Sequence, residues 1–182
     1  MQNKKYTNQE RNNEKNKSRK TKKSTKTIKP KFRSLKQFVK VFRIEDIQNK
    51  LLNRRNGYFI VDDKLKEKIE SMNSDFSSSF FSIGLFAGYE KKGQFYPSLE
   101  LIKIAAKNYE HKVKLDKKSE WLFLCGRDIF QESLPQDIHQ GYIIIENEKN
   151  EFLGLGYGNR NIILNIIDLG DFLRRENKKK SK

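Results

Sequence analysis

The stretch GYIIIENEKNEFLGLGYG, residues 141–158, decides the fold. Gly141 to Glu146 is a short apolar run rich in β-branched residues and reads as a buried strand. Asn147 to Asn150 is polar and reads as a turn. Phe152 to Gly158 resumes the apolar pattern and reads as the hairpin partner. A further apolar run, Ile162 to Ile167, follows, and Lys112 to Leu115 alternates upstream as a short strand. Many short strands with glycine turns within about 70 residues predict a small barrel. The sequence Gly154-Leu-Gly156-Tyr-Gly158 is only superficially a nucleotide loop, because it opens no capped helix. Glycines in such a strand allow close strand packing, or let a ligand approach the backbone.

Within this segment WLFLCGRDIF, residues 121–130, holds the single tryptophan and single cysteine of the chain. Asp116 to Cys125 predicts one or two helical turns, with Trp121, Leu124 and Cys125 on one face. That face is expected to lie against the barrel, leaving Cys125 buried and unreactive. Gly126 is placed to end the helix. Arg127 is then either free at the surface or salt-bridged to Asp128.

Working back toward the N-terminus, Ser98 predicts the cap of a helix with Leu99, Ile102, Ala106 and Tyr109 on one face. Residues 79–97 predict an aromatic hairpin turning at EKKGQ. Leu65, Ile69 and Met72 mark a helix starting near Asp62 or Asp63, and Tyr58 to Val61 a short strand after the Asn56-Gly57 turn. Ser34 with Gln37 forms a capping box, and Leu35, Phe38, Val39 and Phe42 follow at helical spacing. Ile47 and Leu51 extend that stripe after a break.

The chain has 182 residues and a formal net charge of +16, all of it at the two ends. Residues 1–33 hold 13 Lys+Arg against 2 Glu, and residues 174–182 hold 6 against 1. The remainder carries 20 basic and 20 acidic residues. Nearly devoid of aliphatics, residues 1–33 are expected to be a disordered basic tail that contributes nothing to a core. It serves either as a solubilising tail or as a phosphate-binding arm. The balance as a whole points to a polyanionic partner, nucleic acid or an anionic membrane surface. The most apolar run, FFSIGLFAGY at 80–89, is far shorter than the roughly 20 residues of a spanning helix. No apolar core follows the basic N-terminus, so no secretory leader and no membrane partner are expected. One cysteine forms no internal disulfide, which suits a reducing compartment, and a cytoplasmic location is expected (nucleolar in a eukaryote).

Enzyme classes find little support. The two histidines, His111 and His139, lie in segments without a neighbouring cysteine, and Cys and His are too few for a zinc site. GxGxxG, GxxxxGK[ST] and GxSxG are absent from the sequence. Asp62, Asp63, Asp168 and Asp171 fit helix starts or turns. No catalytic residue, cofactor or metal is expected.

From Ser34 onward the chain resembles the Nip-seven family of large-subunit ribosome-biogenesis factors. The resemblance rests on SIGLFAGYEKKGQFYPSLELIKIAAKNYEHKVKLDKKSEWLFLCGRDIF, QGYIIIENEKNEFLGLGYG and DLGDFLRRE. Gly84 and Gly88 match two glycines of an aromatic hairpin. Val113 to Leu115 match the first barrel strand, Glu120, Phe123 and Gly126 its short helix and glycine, and Gly154 and Gly156 a later glycine pair. DLGDFLRRE is similar to archaeal members. Residues 1–33 have no counterpart. The resemblance implies an α+β fold: an N-terminal α/β domain at 34–111 followed by a small C-terminal β-barrel at 112–182. That barrel would be a PUA domain, an RNA-binding module named after pseudouridine synthases and archaeosine transglycosylases.

The expected function is a non-catalytic RNA-binding factor for large-subunit assembly and precursor rRNA processing. The barrel would take single-stranded or loop RNA, and the N-terminal domain other assembly proteins. The candidate RNA contacts are Arg174 and Arg175 with Lys178, Lys179 and Lys180 beside them, then Arg160 and Arg127. Tyr157 is a further candidate that either stacks on a base or packs across strands. An accessory or degenerate relative of an RNA-modifying enzyme and a structural ribosomal protein are the alternative readings.

Overall fold

A computed structural model describes residues 29–55, 57–72, 83–134, 137–171 and 174. The expected α+β arrangement holds, with four α-helices and two antiparallel-rich sheets among these residues. The helices begin where side-chain oxygens accept the first free N–H groups. Ser34 accepts from Gln37 for α1 (Leu35–Phe42), and Asp62 from Leu65 for α2 (Asp63–Glu70). Ser98 accepts from Leu101 for α3 (Leu99–Ala106), and Asp116 from Ser119 for α4 (Lys117–Leu124). The Gln37 side chain reaches back to the Arg33 N–H at 2.7 Å, one residue before the cap, so the expected capping box forms with its return bond shifted by one position. Hydrogen bonds from Ser119 hold the Asp116 carboxyl below its ordinary range.

The break after α1 is at Arg43, in the left-handed region at φ 52°, and a 3₁₀ helix follows at Glu45–Lys50. The first sheet has the order β1 (Leu51–Arg54), β2 (Gly57–Ile60), β3 (Leu85–Lys91), β4 (Gln94–Pro97), all antiparallel. Strand β1 was hidden in the sequence because Leu51 stands four residues after Ile47 and mimics one more helical turn.

The second sheet contains β5 (Lys112–Leu115), the two-residue β6 (Ile129–Phe130), β7 (Gly141–Asn147), β8 (Phe152–Asn159) and β9 (Ile162–Asp168). Its order is β5-β7-β8-β9-β6, with β5 parallel to β7 and the other pairs antiparallel. It curls into a half-barrel. The glycines of β8 are close-approach positions. A Cβ on Gly156 would stand 2.5 Å from the Ile163 side chain, and one on Gly158 only 1.9 Å from the His139 carbonyl. The loop before β7 is thereby held tight, and the His139 ring stacks on His111 with centroids 3.5 Å apart. Desolvation, and then the neighbouring His111, keep His139 below the ordinary histidine range.

One hydrophobic cluster spans the two sheets, and each sheet packs a further cluster of its own. Helix α3 touches β3 on one side and β8 on the other. The largest hydrophobic cluster joins Phe38, Phe42, Phe95, Leu101 and Ile102 to Ile144 and Leu155 of the second sheet. Tyr142 reaches into this seam, where burial and the neighbouring Tyr157 and Tyr109 push its hydroxyl up to about 12.

Two expectations need correction. The segment 29–33 is part of the fold. Phe32 is buried at 2% exposure, and its carbonyl accepts from the Phe95 N–H at 2.8 Å. One aromatic ring outweighs its lysine, proline and arginine neighbours, a local fact that a 33-residue compositional average hides. Residues 1–28 of the expected tail lie outside the described residues. The second correction concerns α4. Ser119 and Phe123 are the buried pair, whereas Trp121 is 64% exposed and Cys125 is exposed as well. Trp121 sits two residues from both, roughly 200° round the helix, so burying Phe123 turns the indole outward. The thiol therefore reverses its expected behaviour: a maleimide reagent should label Cys125 in the native protein about as fast as in the urea-unfolded chain. Strong native protection would contradict the placement.

Candidate functional site

The end of α4 leads into the site. Gly126 closes the helix at φ 81°, its N–H donating to the Phe123 carbonyl at 2.8 Å. A side chain here would be strained by that backbone, and its Cβ would sit 3.1 Å from the Arg174 guanidinium carbon. Arg174 fills the space glycine leaves. Its two terminal nitrogens donate to both carboxylate oxygens of Asp168, at 2.8 and 2.7 Å, and one also donates to the Leu124 carbonyl. Asp171 lies 3.7 Å away. Asp168 is 1% exposed, so this fork is the charge partner of a buried carboxylate. Donating to the Asp168 carboxylate raises the arginine's proton affinity above its ordinary value.

Beside this latch lies a groove of about 510 Å³, between the hairpin β3–β4 and strand β9. Tyr89, Tyr96, Lys29, Lys31, Asp171 and Arg174 are among its lining residues. Tyr89 and Tyr96 are directly opposite each other in the register of β3 and β4. Their rings stack at 5.0 Å and 9°, and the Tyr96 hydroxyl is tied to Gln94 at 3.0 Å. Tyr89 nevertheless remains 41% exposed. On the opposite wall the Lys29 ammonium donates to the Asn165 carbonyl, and it lies 3.7 Å from Asp128. The segment 29–33 is thus strapped from the edge of the first sheet across to the second.

Sequence comparison assigns the C-terminal part of this architecture. Residues 111–177 match the UPF0113 PUA domain family. The second sheet with its helix is a PUA domain. Among solved structures the chain is similar to a conserved PUA domain protein from Thermoplasma acidophilum, at 16% identity over 78% of this chain and 92% of that one, with a TM-score of 0.42. No curated protein matches the chain. PUA domains generally bind RNA, so RNA is the partner class this domain implies. No helix among the described residues is long and apolar enough to cross a membrane.

The PUA domain separates the candidate contacts rather than gathering them. Arg160 lies in the turn before β9, at φ 52° and exposed, its backbone N–H bonded to Gln140. Arg174 lies beyond the far end of β9, about 20 Å away for a seven-residue strand. Arg127 is exposed after Gly126, and Asp128 faces Lys29 and the Asn165 N–H instead of forming the alternative pair with it. Tyr157 takes the cross-strand role, paired with Tyr142 and meeting it edge-on at 5.2 Å. Arg175, Lys178, Lys179 and Lys180 lie outside the described residues.

Lys29, Lys31, Tyr89 and Tyr96 were missed by sequence reasoning. For the tyrosines a signal existed: a two-residue Lys92-Gly93 turn fixes the hairpin register and places 89 opposite 96. For the lysines there was none, because their placement depends on Phe32 being anchored.

Proposed function

We propose that this protein is a non-catalytic RNA-binding factor that assists large-ribosomal-subunit assembly and precursor rRNA processing. The observation carrying the reading is a PUA domain fused through a common core to an N-terminal α/β unit, in a chain whose net charge is concentrated at its ends. Support for the ribosomal role comes from the resemblance of the segments at 82–130, 140–158 and 168–176 to the Nip-seven family. In this reading the PUA domain takes single-stranded or loop RNA, and the N-terminal unit holds other assembly proteins.

Sucrose-gradient sedimentation of cell extract tests it. The protein should travel with precursor particles of the large subunit and be absent from mature subunits. Stoichiometric retention on mature subunits would make it a structural ribosomal protein, and sedimentation only at the top of the gradient would remove the ribosomal role.

A further inference from the structure

We propose that the groove between the β3–β4 hairpin and β9 is a binding site for an unpaired nucleotide of RNA, with Tyr89 as its stacking platform. The inference rests on the RNA-binding reading above and adds the N-terminal domain to the RNA surface.

Three observations converge on it. The first is the preorganised aromatic pair. Tyr89 is fixed by its parallel stack on Tyr96 and by the register of the hairpin, yet stays 41% exposed at the groove. A flat ring held still in an accessible place loses little entropy when a base stacks on it. The second is size. At about 510 Å³ the groove lies within the range of roughly 300–1,000 Å³ that accommodates small planar ligands.

The third is where the charge leaves the fold. Lys29 and Arg174 both line the groove, and both stand at junctions with basic terminal segments. Residues 1–28 carry 10 Lys+Arg against 2 Glu, and residues 175–182 carry 5 against 1. The lining itself is closer to balanced, with Lys29, Lys31 and Arg174 against Asp168 and Asp171, and Lys29 lies 3.7 Å from Asp128 behind it. A ligand suited to this arrangement is flat and uncharged where it enters, with anions on either side. Single-stranded RNA has that chemistry: a base for the tyrosine, and backbone phosphates that suit a chain whose net charge is carried by its two ends. An acidic peptide supplies the anions but no planar group matched to the ring.

The test uses the full chain and a fluorescein-labelled, mixed-sequence single-stranded RNA, with binding followed by anisotropy at several salt concentrations. Tyr89→Ala should weaken affinity about tenfold or more, the usual loss for one stacked base. The slope of affinity against salt should stay as in the wild type, because stacking releases no counterions. Tyr89→Phe should bind as the wild type does. RNA carrying 4-thiouridine should photocrosslink to the wild-type peptide that contains Tyr89, a readout independent of any variant's folding. Unchanged affinity in Tyr89→Ala, with crosslinks elsewhere, would overturn the groove assignment and leave RNA binding by the PUA domain standing. Failure of the wild type to bind any RNA would overturn both. A Tyr89→Ala loss of affinity for polyglutamate, but not for RNA, would give the groove to an acidic protein segment.

Discussion

Phe32→Ala is expected to destabilise the protein by about 3–5 kcal/mol, the usual cost of emptying a buried phenylalanine site. For a chain of this length that corresponds to a fall in Tm of roughly 10 °C. The size follows from the surroundings. The ring stacks on Tyr142 at 4.4 Å and 17°, meets Phe38 edge-on at 4.9 Å, and lies 6.1 Å from Phe42. These partners belong to β7 and α1, so one ring bridges the PUA domain and the N-terminal unit. Its removal leaves a void where the two sheets meet, and neither wall can collapse without moving a whole sheet. Phe32→Leu should recover much of the loss by refilling part of the volume. Urea denaturation of both variants measures this, and a cost below about 1 kcal/mol for alanine would show that the segment is not an integral part of the core.

Phe32 also marks where the sequence stopped being legible. The elements that announce themselves locally were readable. Ser34, Ser98 and Asp116 each combine a capping side chain with an apolar pattern that begins at once, and GYIIIE with FLGLGYG supplies two strands around a polar turn. What failed depended on partners far along the chain. Phe32 is buried because Phe95 and Tyr142 are waiting for it, 63 and 110 residues away. Trp121 is exposed because Phe123 wins the single buried face of α4, and periodicity alone does not rank the two faces of so short a helix. The candidate site divides the same way. The basic ends and the aromatic hairpin were each visible, but their meeting in one groove is a product of the tertiary fold.

Arg174→Ala is expected to cost about 3 kcal/mol, toward the low end for breaking a buried ion pair because a third of the arginine side chain remains open to water. The cost falls on Asp168, which would keep a 1% exposed carboxylate without its forked donor. The Leu124 carbonyl would lose a donor as well. Asp168→Asn in the Arg174→Ala background should restore part of the stability by removing the stranded charge, a coupling that a double-mutant cycle measures. The informative variant is Arg174→Lys. It keeps the charge but loses the planar fork that grips both carboxylate oxygens, so stability should fall by about 1 kcal/mol or more. RNA affinity measured at a temperature where this variant is folded should match the wild type, since the guanidinium is engaged within the protein and net charge is unchanged. The opposite pattern, full stability with weakened RNA binding, would mean that Arg174 leaves the latch to grip RNA directly. Arg174 would then join Tyr89 as an RNA contact, and Gly126 would owe its missing side chain to the ligand rather than to the latch.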